Sequence, residues 1–183
     1  MAMMISSELG NMPWDVLHQG LSEQTGLSIG LVVIVVGALV LVGWIPLRER
    51  PGLGTLSNIV VIAVAVDAAL AALPDVDALP AGVALAVTGV LLNAIATAAY
   101  IGVRLGPGPR DGLMTGLARR TGGSVRVIRT IIEVSVVVTG FLLGGTLGVV
   151  TVAYALCIGP LVHALLPRLE VPASAPRASV ERA

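Results

Sequence analysis

Leu9-Gly10-Asn11-Met12-Pro13-Trp14-Asp15-Val16-Leu17-His18-Gln19-Gly20-Leu21-Ser22-Glu23-Gln24-Thr25-Gly26-Leu27-Ser28 returns 96 residues later as Leu105-Gly106-Pro107-Gly108-Pro109-Arg110-Asp111-Gly112-Leu113-Met114-Thr115-Gly116-Leu117-Ala118-Arg119-Arg120-Thr121-Gly122-Gly123-Ser124. No gap is needed, and ten of the 20 positions are identical. The shared positions include Pro13/Pro109, Asp15/Asp111, Gly20/Gly116 and Gly26/Gly122. The same offset pairs Gly52 with Gly148 and Thr55 with Thr151. A match of this density marks an internal duplication and governs how the flanking segments are read.

Those flanks are apolar. About 20 apolar residues cross the hydrocarbon core of a bilayer. Gln24 to Leu47 carries no charge, which predicts a span over 28–47, ended by Arg48-Glu49-Arg50 and a Pro51-Gly52 turn. A second span is expected over 54–73, interrupted by Asp67, and a third over 81–103. From Thr130 to Pro167 the one formal charge is Glu133. That stretch is too long for one helix, and Gly144-Gly145-Thr146-Leu147-Gly148 divides it into 127–144 and 149–167. Residues 168–183, rich in Pro, Ala, Ser and Arg, read as a disordered cytoplasmic tail.

Composition agrees. The 183 residues are 56% apolar and 12% charged, with mean hydropathy +0.96. A soluble domain carries about 25% charged residues. So little charge excludes a soluble globule, a disordered chain and a nucleic-acid binder. The fold class that follows is all-α, a polytopic transmembrane helix bundle with five spans. The lone Cys157 reads as a small buried packing residue. There is no metalloprotease His-Glu-x-x-His, no nucleophile elbow and no phosphate loop. No enzyme, cofactor or metal site is therefore expected.

The five spans leave six flanking segments. All 11 basic residues are Arg, and all lie in or beside the second, fourth and sixth. By the positive-inside rule that side is cytoplasmic, which points to the inner membrane of a bacterium. The second copy, 81–167, reads helix, motif, helix, helix. The first copy, 1–73, reads motif, helix, helix. Residues 1–8 align with the last turns of the 81–103 helix, so a six-span parent with one further upstream span is expected. Three spans per copy is odd, which inverts one copy relative to the other. Inverted repeats are a recurrent design of secondary transporters, with the site between the copies.

Pro13-Trp14-Asp15-Val16-Leu17-His18-Gln19-Gly20-Leu21, Ile45-Pro46-Leu47-Arg48 with Pro51-Gly52-Leu53-Gly54-Thr55, Gly106-Pro107-Gly108-Pro109-Arg110-Asp111-Gly112-Leu113-Met114 and Gly159-Pro160 carry a family resemblance. At these motifs the chain resembles the YczE/YyaS/YitT family of bacterial integral membrane proteins, most closely its YczE branch. The resemblance runs to about Pro167. It implies a multi-span inner-membrane protein and brings no established reaction, substrate or catalytic residue.

A few polar residues remain to carry chemistry. Asp15 and Asp111 each follow a proline by two. They read either as helix N-caps or as parts of short segments that re-enter the membrane from opposite sides. Asp67 is an intramembrane carboxylate, and its mate at the same offset is His163. Together with Glu133 these residues are the expected lining of a solute or ion pathway. Glu133 also stands four residues after Arg129, an ion-pair spacing. Asn58 and Asn93 read as interhelical hydrogen-bonding residues. Arg104, Arg110, Arg119, Arg120 and Arg126 form a basic cluster suited to anionic lipid head groups. Trp14, Trp44 and Tyr100 read as an interfacial aromatic belt. Glycines four apart, such as Gly112/Gly116, permit close helix packing and, more weakly, self-association. The functional expectation is a secondary transporter or channel for a small solute or ion, with the lipid bilayer as its surroundings. The alternative is a non-transporting membrane partner that stabilises or regulates another protein.

Overall fold

The computed structural model describes residues 1–74, 76, 78–103 and 106–169. Among them lie α1 (Ala2–Ile5), α2 (Pro13–Thr25), α3 (Ile29–Leu47), α4 (Leu53–Ala72), α5 (Leu79–Val103), α6 (Pro109–Thr121), α7 (Val125–Leu142) and α8 (Val149–Leu169). There is no strand among the described residues. Four helices, α3, α4, α5 and α8, are long and apolar enough to cross a membrane. α7 occupies the segment expected as a further span, but it carries Arg126, Arg129 and Glu133 and is not one of the four. Arg104 and the tail from residue 170 lie outside the described residues.

The outer surface fits a bilayer. Leu53 and Val149 are 81% and 82% exposed, and apolar side chains cover the outward faces of every long helix. Cys157 is exposed on α8 rather than buried. Its apolar setting in the sequence is the lipid-facing side of a helix, not a protein core.

The duplicated motifs form the two short helices, α2 and α6. Each has 13 residues, about 20 Å at 1.5 Å per residue, which is less than the ~30 Å hydrocarbon core. Proline begins each one, where its missing N–H leaves no intrahelical bond unmade. Glycine ends each one in the left-handed conformation, Gly26 at φ 70° and Gly122 at φ 67°. The glycine that precedes each helix is also matched: Gly10 and Gly106 both have φ 117°.

Matched positions also make matched contacts. α2 packs on α7, and α6 packs on α3. α1 packs on α4, and α5 packs on α8. A Cβ on Gly10 would stand 2.8 Å from Gly148 Cα, and one on Gly106 would stand 3.3 Å from Gly52 Cα. At the starts of α4 and α8, the Thr55 and Thr151 hydroxyls accept from the Gly52 and Gly148 N–H groups at 3.1 and 3.3 Å. Thr55 also donates to Pro107 O at 2.8 Å.

Where the copies differ, bulk is exchanged across the contact. Trp44 of α3 is 1% exposed and lies flat against Gly112 of α6, where any Cβ would strike its ring. Its indole N–H donates to Pro109 O at 3.0 Å. In the other copy the glycine is on the long helix, and the short helix meets it with backbone. Val16 of α2 lies against Gly140 of α7, and a Cβ on Gly140 would collide with the Val16–Leu17 backbone. Gly140 is the mate of Trp44, and Val16 is the mate of Gly112. Trp44 is therefore a buried anchor of α6 and not part of an aromatic belt.

This exchange makes a compensating pair testable. Gly112→Val alone overpacks the Trp44 contact and is expected to lower the melting temperature in detergent by at least about 5 °C. Adding Trp44→Gly recreates the arrangement of the other copy and is expected to recover part of that loss.

Candidate functional site

α2 and α6 direct their N-termini toward one cavity. Trp14, at the second position of α2, packs with Val32 and Val36 of α3. Pro109, at the first position of α6, is held by Trp44 further along α3. Val36 and Trp44 are separated by about 12 Å along that helix. The gap is bridged by side chains, because the Arg110 guanidinium carbon lies 4.8 Å from the Trp14 ring centroid. Trp14 and Arg110 are themselves mates at the 96-residue offset. Each motif therefore touches its counterpart through the same position.

The cavity at this meeting point has a volume of about 680 Å³. From α2 it is lined by Trp14, Asp15 and His18, and from α6 by Arg110 and Asp111. Asn58 of α4 and Asn93 and Tyr100 of α5 contribute to it. α7 adds Arg129 and Glu133, and α8 adds Tyr154 and His163. Several of these groups satisfy one another. Asn93 Nδ2 donates to Tyr154 Oη at 2.7 Å, Tyr100 Oη donates to Gly106 O at 3.0 Å, and Arg129 Nε donates to Glu133 Oε1 at 2.9 Å.

The α2 end is different. Asp15 is 0% exposed and His18 1% exposed. Asp15 Oδ1 and His18 Nδ1 are 3.4 Å apart, beyond the ~2.7–2.9 Å of a charge-assisted bond. Among the described residues neither Asp15 oxygen receives a hydrogen bond, and Trp14 Nε1 has no acceptor. Burial pushes the His18 pKa below its ordinary value, and the Asp15 contact offsets this only in part. A buried carboxylate without donors is costly, on the order of 1–3 kcal/mol or more, and such a group in a cavity wall is where a ligand's donors fit.

Of the residues expected to line a pathway, the structure brings Asp15, Asp111, Glu133 and His163 to this cavity. Asp67 does not reach it. Its carboxylate accepts from the Ser28 hydroxyl at 2.6 Å and from the Gly30 N–H at 2.7 Å, holding the first turn of α3. Asp67 thus stands apart from the cavity that its mate His163 lines. Asp15 and Asp111 are not N-caps either. Met12 and Gly108 hold those positions, with no side-chain cap bond, and each aspartate is the third residue of its helix.

The basic cluster also divides. Arg110 points over Trp14 into the cavity. Arg119 pairs with Glu49, and Arg120 donates to the Pro46 carbonyl. Both bonds tie α6 to the end of α3. Arg126 is exposed, and Arg104 lies outside the described residues. Trp14 is buried and Tyr100 is bonded within the site, so neither belongs to an interfacial belt. His18, Arg110 and Tyr154 were not expected in the site. Two of them had a signal in the sequence: Arg110 stands at the mate of Trp14, and Tyr154 at the mate of Asn58. Among the described residues no three His, Cys, Asp or Glu side chains form a metal-binding group.

Comparison with known proteins finds a family and two bacterial relatives. A family model described as "Family of unknown function (DUF6198)" matches residues 1–167. A Haemophilus influenzae protein named "Uncharacterized protein" is 42% identical over 164 residues, covering 90% of this chain and 75% of the relative. The Bacillus subtilis "Uncharacterized membrane protein YczE" is 33% identical over 162 residues, covering 87% of this chain and 75% of the relative. No solved structure matches the chain.

Replacing Asp67 separates its capping role from the cavity. Asp67→Ala removes two hydrogen bonds at the start of α3 and is expected to destabilise the protein by about 1–3 kcal/mol. The loss reads out as a lower melting temperature. Ligand binding by the fraction that remains folded is expected to be unchanged.

Proposed function

The chain belongs to this family of unknown function, DUF6198, and is similar to the membrane protein YczE, and from that premise we propose that it is a secondary transporter or channel for a small polar solute or ion in the bacterial inner membrane. The observation that carries the reading is the convergence of both duplicated motifs on one polar cavity. Two half-length helices that approach from opposite sides and end at depth are an inverted-repeat arrangement. The matched φ values of Gly10 and Gly106 and the matched packing of α2 on α7 and α6 on α3 support it. Non-spanning backbone at membrane depth is tolerated where it is enclosed by protein or lines a polar cavity. In an inverted repeat that place is the solute site, near the midplane.

The reading extends to topology. α7 serves as the fifth span, its Arg129–Glu133 pair turned to the cavity and its Arg126 near the cytoplasmic face. The first repeat covers 1–73 and the second 81–167. The Arg-rich segments face the cytoplasm, together with the tail.

The experiment is flux in proteoliposomes. The purified protein is reconstituted and tested by counterflow against radiolabelled inorganic ions, carboxylates, amines, amino acids and sugars. At least one solute is expected to move faster than in empty vesicles. Arg110→Gln and Asp15→Asn, checked for folding by melting temperature, are each expected to reduce that flux at least tenfold. If no solute of any class moves above the empty-vesicle rate, the transport reading falls.

A further inference from the structure

Asp15 and Arg110 both line the proposed carrier cavity, and among the described residues they form no ion pair with each other. Asp15 is fully buried at the wall, with neither oxygen receiving a hydrogen bond among the described residues. Arg110 lies 4.8 Å from the centroid of the Trp14 ring, the side chain adjacent to Asp15 in the chain. Among the described residues it makes no ion pair and no hydrogen bond. In a low-dielectric interior such charges attract strongly and would close on one another if the space between them were meant to be empty.

Other charges at the cavity sit in different settings. Arg129 and Glu133 are bonded to each other. Asp111 folds back over the first turn of its own helix, its Oδ2 lying 3.2 Å from where a Cβ on Gly108 would stand. His18 is buried against Asp15. Trp14, over whose ring Arg110 lies, also has an unpartnered N–H among the described residues.

We propose that the cavity binds a small zwitterion of amino-acid type. The ligand carboxylate lies against the Arg110 guanidinium and the Trp14 N–H. The ligand ammonium lies against the Asp15 carboxylate. The chemistry is complementary at each end. An ammonium brings three N–H donors to two oxygens that have none. A guanidinium offers a planar fork of N–H groups matched to a carboxylate. Arg110 also stands at the second position of α6, where the helix N-terminus adds positive potential. The inference rests on the carrier reading and names its substrate class.

The test is direct binding to the full chain in nanodiscs, by thermal stabilisation and by isothermal calorimetry. The probes are the twenty protein amino acids, β-alanine and 4-aminobutyrate. For the tightest of them, the matching deaminated acid and decarboxylated amine are measured as well. The expected result is saturable binding of at least one zwitterion, with both single-charge analogues at least tenfold weaker. Asp15→Asn and Arg110→Gln are each expected to weaken the zwitterion at least tenfold, and Arg110→Lys to restore part of the affinity. Three outcomes would overturn the proposal: no zwitterion binds, the deaminated acid binds as tightly as its parent, or folded Asp15→Asn keeps the wild-type affinity. If a variant does not fold, the analogue series on the wild type decides alone. Flux of an inorganic ion or a plain carboxylate without zwitterion binding removes this inference and leaves the carrier reading standing. Absence of any flux removes both.

Discussion

A helix of 13 residues cannot cross a bilayer, and hydrocarbon offers nothing to the free N–H groups at its start. The placing of α2 and α6 follows from that constraint. Their N-terminal ends need an enclosed polar setting, and α3 and α7 supply it by lying alongside them. Close approach is made possible at two glycines, Gly112 under the Trp44 ring and Gly140 under the Val16–Leu17 backbone. Once the short helices are seated, their second residues meet, Arg110 over Trp14. The cavity is the space left around that meeting point.

The two copies keep a common frame and have diverged in chemistry. The frame is backbone: the φ 117° glycines, the starting prolines, the left-handed glycine ends and the Gly–Thr pairs that begin α4 and α8. The chemistry differs at mate after mate. Trp14 faces Arg110, His18 corresponds to Met114, Asn58 to Tyr154 and Asp67 to His163. Asp67 braces α3 while His163 lines the cavity. The cavity between the copies is symmetric in scaffold and asymmetric in charge.

Much of the helical layout was legible from the chain. Expected spans at 28–47, 54–73, 81–103 and 149–167 correspond to α3, α4, α5 and α8, because apolar runs of that length have one stable form in lipid. Side-chain placement was less legible. Asp67 and Asp15 both look like expensive membrane carboxylates, and only tertiary geometry tells a brace from a cavity wall. Trp44 and Cys157 were misread for the same reason. A residue near a helix end or in an apolar run can face protein or lipid, and period alone does not say which. Charge alone did not reveal that Arg119 and Arg120 fasten α6 to the end of α3.

The sidedness of the two short helices bears most directly on all of this. Thr25 and Thr121 are mates at their C-terminal ends, both exposed. Thr25→Cys and Thr121→Cys, each introduced separately with Cys157→Ser, would be labelled in intact cells with a membrane-impermeant maleimide before and after permeabilisation. Labelling at position 25 in intact cells, and at position 121 only after permeabilisation, is the result expected of motifs that enter from opposite faces. Labelling of both from the same face would contradict it and remove the inverted repeat on which the shared cavity depends.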